Sequence, residues 1–516
     1  MVNRSNNALF LLIKSLKKSE KRNFKLFANR NAETDNLKTV KLFDALDKMD
    51  EYNEILLLKK NAAITKLQLS NISANLYKQI LDSLRLIKDS DNIDLQLHEQ
   101  MDHARILYNK GLYMQALHIL EKAKRLAKAN NQITYLLQVL FFEKKIEALF
   151  LTSSIDTRAT EIIDESNIAI AKIDNINTLS NLALKLYSSY IKNGHARTKN
   201  EEQEIQKIFN DGLPLNFSEA NTFYEKLYYY QCFCWRAFIC QDFLTYYRYA
   251  QKWIDIFDEE PFMKEIETMH YIKGMHNLMG AHFNLKNTLK LASTITKFEI
   301  FSKEEYILNN ENNTIQSFIY LFTSKINLHF TQGTFTDGLK IVPELIAKLE
   351  EHKMYLDNHR ILIFYYKIAS LYFGSGDSST AIDYLNKIIN WKVDLRTDLQ
   401  CYSRLLQLIA HYELGNYSLV EYLIKSVYRF MAKMQNMSIV EEEIFHFLRN
   451  SFHVSQKDIK KVLNKLLEKL KSQEENRYEV RAFIYLDVIS WIESKLKGVP
   501  VENIIREKFL AQKERL

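Results

Sequence analysis

The sequence predicts an all-α fold, a solenoid of antiparallel helical hairpins with a helical extension at each end. Three observations carry this. The 516 residues include only eleven Gly and four Pro, where average usage gives roughly 36 and 26, so turns are few and helices long. Apolar residues recur at helical spacing along most of the chain. One frame of landmarks also repeats. In its clearest copies Tyr365, Ala369, Tyr372, Gly376, Asp377, Ala381, Ile382, Leu385 and Ile388 are answered at matching offsets by Arg404, Leu408, Tyr412, Gly415, Asn416, Tyr417, Val420, Ile424 and Val427. Such a frame describes two helices joined by a tight turn, a unit that buries its apolar side only by stacking on copies of itself.

Residues 8–28 read as one amphipathic helix, with Leu9, Leu12, Ile13, Leu16, Phe24 and Phe27 on one side and Lys14, Lys17, Lys18, Lys21, Arg22 and Lys25 on the other. Ser19 and Glu20 offer an alternative second start. Helices over 37–50 and 64–88 complete a small domain spanning 1–90. Residues 1–30 hold eight basic side chains against one acid, which equals the net charge of +7 for the whole chain. The rest is balanced, so the repeats form no basic nucleic-acid channel. The six cations of the first helices are a candidate basic patch for nucleic acid or an anionic surface; the plainer reading is a solvated face.

The array proper spans 91–430. Its frame recurs in "HARILYNKGLYMQALHILEKA" through Ala104, Tyr108, Gly111, Tyr113, Ala116, Leu117 and Ala123, and again through Tyr230, Cys234, Phe238, Asp242, Phe243 and Ala250, with Gln241 in place of the turn Gly. Further copies run through Met275, Met279, Phe283, Asn287, Leu291 and Phe298, and through Phe322, Phe330, Gly333, Phe335, Gly338 and Leu339. Turns are expected at 111, about 154, 194, 241, about 286, 333, 376 and 415, giving about eight hairpins of about 43 residues. This pattern of small residues, aromatics and a turn glycine resembles the tetratricopeptide family, whose standard unit is about 34 residues. The resemblance implies a right-handed superhelix that binds a protein or peptide on its concave face. The opening "LIKSLKKSEKRNFKLFANR" also resembles a group of uncharacterised tetratricopeptide-like proteins from Bacteroidota, which implies no activity.

In that family, the twelfth position of each first helix tends to face the concave side. Here it holds Tyr108, Phe238, Phe283, Phe330, Phe373 and Tyr412, and with Tyr228 and Trp235 from the densest aromatic stretch these form the candidate partner-binding set. The plainer reading is packing between hairpins. The ninth position carries Arg105, Trp235, Gly280, Asn327, Ser370 and Ile409, too mixed for the family's carboxylate clamp.

Past 431 the frame is lost. Ser438 with Glu441 and Ser455 with Asp458 read as capping boxes, the stripe Ile459, Val462, Leu463, Leu466, Leu467 and Leu470 as an apolar helix face, and Gly498-Val499-Pro500 as a helix end and restart. A solenoid needs its last apolar face covered, so residues 431–516 are expected to cap it. No phosphate-binding glycine loop, zinc-protease motif or nucleophile elbow occurs, since Asp102 stands where a second zinc histidine after His98-Glu99 would be. His270, His276 and His282 lie six apart and scatter around a helix. Cys232, Cys234, Cys240 and Cys401 suit buried reduced thiols. The expectation is a cytoplasmic, non-catalytic interaction scaffold without metal or cofactor. The alternative is a regulator with a nucleic-acid-binding N-terminal domain and a sensor array.

Overall fold

The structure, a computed structural model, describes residues 4–30, 34–60, 64–86, 92–149, 155–214, 222–391, 397–433, 438–451, 454, 458–474, 476, 478–479 and 487–514. It is all-α, with no strand among the described residues. None of its helices is long and apolar enough to cross a membrane. The chain forms two compact units, Met1–Asp102 and His103–Leu516.

In the first unit α1 (Arg4–Ser15), α2 (Lys18–Arg30) and α3 (Thr34–Asp47) pack on α5 (Lys66–Arg85), and the short α4 (Glu54–Lys60) lies against α3. The opening is two helices rather than one. The break falls at Leu16-Lys17, where the Glu20 carboxylate accepts the Lys17 N–H at 2.7 Å. Burial follows the sequence stripe: Leu9, Ile13, Leu16 and Phe24 join Leu42, Phe43, Leu46, Leu76 and Ile80 in one core.

The second unit is built from consecutive helices that pack on their chain neighbours. From the boundary-spanning α6 (Ile93–Asn109) follow α7 (Tyr113–Ala129), α8 (Ile133–Glu147), α9 (Ile155–Asn193), α10 (Lys199–Asp211), α11 (Phe223–Ile239) and α12 (Phe243–Glu259). Next come α13 (Met263–Ile266), α14 (Thr268–Asn284), α15 (Thr288–Phe301), α16 (Glu305–Leu308), α17 (Glu311–Gln332), α18 (Phe335–Gly338) and α19 (Val342–Glu351). Then follow α20 (Asn358–Ser375), α21 (Ser378–Ile389), α22 (Thr397–Glu413) and α23 (Tyr417–Lys433). Helix α14 touches α12, α15 and α17, and α22 touches α20, α21 and α23.

The turns sit where the frame puts them. Gly111, Gly194, Gly333, Gly376 and Gly415 have positive φ, and so do Gln241 and Lys286, which replace the glycine. The eighth expected turn, near 154, lies outside the described residues. Asn131, between α7 and α8, is a further left-handed turn that the frame did not place. Aspartate or asparagine after the turn starts the second helix: Asp242, Asn287 and Asp377 accept the N–H of Thr245, Lys290 and Thr380 at 3.1, 3.4 and 2.9 Å. The small frame residues Ala104, Ala116, Ala123, Ala250, Ala369 and Ala381 are fully buried. One second helix is broken. Pro343 has no N–H to give to the preceding turn, and the chain tightens to a 3-10 turn over Leu339–Ile341 between α18 and α19.

After α23, the helices α24 (Ile439–Ser451), α25 (Ile459–Lys471), α26 (Val488–Lys497) and α27 (Val501–Glu514) pack in succession. The Ser438–Glu441 box forms, with Ser438 N–H donating to Glu441 at 2.7 Å and Glu441 N–H to Ser438 Oγ at 3.2 Å. Ser455 lies outside the described residues. Trp491 is buried beside Tyr412 and Phe447 and donates Nε1–H to Glu413 at 2.6 Å. The last helix then turns back. Thr336 donates N–H and Oγ–H to Glu502 at 3.0 and 2.6 Å, Arg506 donates to the Gln332 carbonyl at 3.3 Å, and Gln512 donates to the Lys286 carbonyl at 3.4 Å. Helix α27 therefore runs along the edge formed by the turns at Gly333 and Lys286.

The cap at Ser438 gives a pH prediction. Burial raises the Glu441 carboxyl from its ordinary 4.5 to about 7. A carboxyl raised on folding binds its proton more tightly in the native state, so stability is lost as pH climbs from 4.5 to 7 and is level beyond. Glu441→Gln keeps an oxygen for the Ser438 N–H and does not titrate. Between pH 5 and pH 8 its stability relative to the parent should improve by about 3 kcal/mol, read from urea unfolding at both pH values. A difference that does not change with pH would show that Glu441 is already ionised in the fold.

Candidate functional site

The candidate rings are wedged between hairpins. Tyr108 meets Tyr113 on α7 and Phe142 on α8, each at 5.6 Å between centroids. Phe238 meets Tyr246 on α12 at 5.2 Å and Tyr190 on α9 at 5.3 Å. Phe330 meets Phe335 at 5.6 Å, and Tyr412 meets Tyr417 at 5.5 Å and Phe447 at 5.8 Å. Phe283 packs against the core of its neighbours. Seven of the eight candidates are half-buried and Phe373 is buried. Tyr228 stands apart, edge-on to His270 at 5.9 Å.

Trp235 leads to a site that the sequence did not single out. Its ring lies 4.9 Å from Tyr187, and the Lys273 ammonium of α14 sits over both rings, 5.6 Å from Trp235 and 5.7 Å from Tyr187. Burial lowers the Lys273 pKa, and no carboxylate is among the groups that act on it. One turn on, His276 stacks on Tyr320 of α17 at 4.0 Å and 14°. Its Nδ1 is buried with no hydrogen-bond partner. Burial and then the charges of Lys273, Lys367 and Arg360 lower its pKa to about 4, so it is neutral at pH 7. On α20, Lys367 donates to Asn327 Oδ1 at 2.5 Å and lies 5.6 Å from the Phe330 ring. Burial lowers it to about 8. Arg360, at the start of α20, has its Nε 3.5 Å from the exposed Asp357.

Three cations thus act on one neutral histidine, two of them beside aromatic rings, and among the described residues Asp357 is the carboxylate paired to any of them. Ammonium groups withdrawn from water without a counter-charge are unfavourable, and an anion supplied from outside relieves that. Two other half-buried lysines of the unit differ: Lys325 pairs with Glu299 at 3.0 Å and Lys226 with Glu259 at 2.9 Å. The signal in the sequence was weak. Lys273 and Lys367 stand two places before Met275 and two after Tyr365 in the frame, but nothing local says which lysines lack an acid opposite.

The three histidines of α14 occupy separate environments. His270 Nδ1 lies 2.8 Å from Glu267, and His282 is buried beside Tyr247 at 5.1 Å. Among the described residues no group of His, Cys, Asp or Glu has the arrangement of a metal site. All four cysteines are buried and none forms a disulfide. In the first unit, several cations of the basic patch are engaged. Lys21 pairs with Asp47 at 2.6 Å, Lys25 with Asp44 at 2.7 Å, and Lys14 donates to the Asp47 carbonyl at 2.8 Å. Lys17, Lys18 and Arg22 are exposed. Compared with known protein families and with curated proteins, the chain matches none.

Proposed function

We propose that the chain is a non-catalytic, tetratricopeptide-like interaction scaffold whose first helices offer a concave face to an extended polypeptide segment. The segment is acidic with apolar side chains between its acids. One observation carries this reading: on the first helices α14 and α20, which flank α17, Lys273 and Lys367 are half-buried beside aromatic rings with no carboxylate acting on them. An acidic residue would supply the missing charge, and the exposed edges of Trp235 and Tyr187 would take an apolar neighbour.

Fluorescent acidic peptides bearing spaced leucine or phenylalanine are the probe, with lysine-rich peptides of the same apolar content as control. Binding should be selective for the acidic set and weaken with salt. Lys273→Ala with Lys367→Ala should weaken it at least about tenfold, the scale of one hydrogen bond to a charged group, with melting preserved. Equal binding of both peptide sets would overturn the proposal. Low-salt retardation of DNA that disappears on neutralising Lys17, Lys18 and Arg22 would favour the nucleic-acid alternative instead.

A further inference from the structure

We infer that the groove between α23 and α24 binds an aromatic organic phosphate of the nucleotide class, with Arg429, Arg449 and Lys425 on its phosphates and Tyr428 against its ring. The inference uses none of the residues of the proposed function, so either can fail without the other.

Two helical faces build the groove. On α23, Ile424, Lys425, Tyr428 and Arg429 fall at the spacing that puts side chains on one side of a helix. On α24, Glu442, Phe445, His446 and Arg449 do the same. Both sets line one cavity of about 550 Å³, within the roughly 300–1,000 Å³ of small-molecule sites. Its base is apolar. Ile424 and Phe445 are buried, and Tyr428 meets Phe445 edge-on at 5.6 Å and 88°, which ties the two walls together. Tyr428 is itself 46 % exposed, so a second ring can pack against it.

The lining is also charged. Lys425, Arg429 and Arg449 are exposed, and none of them is in an ion pair among the described residues. Arg429 donates its Nε–H to the Lys425 carbonyl at 3.2 Å, which leaves the other guanidinium N–H groups for a ligand. The neighbouring acids are engaged elsewhere. Glu443 pairs with Lys469 of α25 at 2.8 Å, and Glu441 is buried in the Ser438 cap. Glu442 is the carboxylate of the lining, so three cations less one acid leave a charge of +2, in a chain that is balanced beyond residue 30. A phosphate ester supplies the matching charge, and its oxygens fit guanidinium forks. An apolar monocarboxylate supplies half of it. Glu442 can only accept hydrogen bonds when ionised, which suits a hydroxyl or amino group on the ring portion of the ligand. His446, one helical turn from both Glu442 and Arg449, adds a ring nitrogen to the same wall.

The test is isothermal titration of the full chain at low salt, without divalent cations, with ADP, adenosine and inorganic pyrophosphate as separate probes. ADP should bind at least about tenfold more tightly than adenosine or pyrophosphate. Arg429→Ala with Arg449→Ala should weaken ADP at least about tenfold, the scale of one hydrogen bond to a charged group. Lys18→Ala with Arg22→Ala, on the basic helix of the first unit, should leave it unchanged. Tyr428→Ala should weaken ADP severalfold, as the loss of a base stack does, while Tyr428→Phe retains it. The changed side chains are all exposed, so melting should be preserved throughout. ADP bound no more tightly than adenosine, or bound equally by the double arginine variant, overturns the inference. So does pyrophosphate that binds as tightly as ADP, since that would show a basic surface with no place for a ring.

Discussion

Gly333→Ala is expected to destabilise the second unit well beyond the same change at Gly376 or Gly415. All three are left-handed, with φ of 60°, 96° and 73°, and each would suffer the penalty of about 1 kcal/mol that a side chain meets there. They differ in what a Cβ would touch. At Gly376 and Gly415 nothing lies within 4 Å, but at Gly333 it would fall 2.4 Å from Arg506 N, 2.8 Å from the Glu502 carbonyl oxygen and 2.9 Å from Ile505 C. These are backbone atoms of a helix and cannot swing aside. Helix α27 would have to lift, losing the Thr336–Glu502 and Arg506–Gln332 hydrogen bonds and exposing Ile505. Overpacking and those losses together amount to about 2–4 kcal/mol beyond the two controls. Thermal melting of the three variants reads the difference, and limited trypsin digestion should cut Gly333→Ala near Arg506 first. If the three melt together and the tail stays resistant, the seating of α27 on the Gly333 turn is wrong.

That contact also shows where sequence reading ends. The turns were legible because a left-handed residue in a tight hairpin needs glycine, or is betrayed by the cap that follows it. Asp242 and Asn287 marked the turns at Gln241 and Lys286 although neither is glycine. Asn131 escaped because the frame assigned one turn to each hairpin and not the junction between hairpins, although asparagine tolerates this conformation. The capping box at Ser438 and the apolar stripe of residues 9–24 are local chemistry and were read directly. The return of α27 is not local. Thr336 and Glu502 are 166 residues apart, and no periodicity links them. The candidate site divides in the same way. Trp235 stood out as a large aromatic in a dense aromatic segment, whereas Lys273 and Lys367 became distinctive only once the helices opposite proved to bring them no acid.

Lys124→Met is expected to be the most damaging single change away from the turns. Lys124 of α7 is buried against Glu143 of α8, which is fully buried, and Glu121 and Glu165 complete its surroundings at 3.1 and 3.6 Å. Arg158 reaches Glu143 at a longer 3.4 Å. Burial already raises the Glu143 pKa, with Lys124 as the leading group that opposes the rise. Without the lysine, a carboxylate with 0 % exposure keeps only the longer Arg158 contact, a loss of about 3–5 kcal/mol at pH 7. The sign with pH follows. The Glu143 pKa is raised on folding and should rise further in the variant, so the added penalty is present above that folded value. It fades as pH falls toward the unfolded value near 4.5. Urea unfolding at pH 8 and pH 5 should therefore show a deficit that shrinks in acid. Adding Glu143→Leu to Lys124→Met should recover most of it at pH 8, since an apolar pair of similar volume needs no counter-charge. A deficit that is the same at both pH values, and that the second substitution leaves in place, would mean that Lys124 acts through the packing of its methylene stem between α7 and α8 and not through its charge.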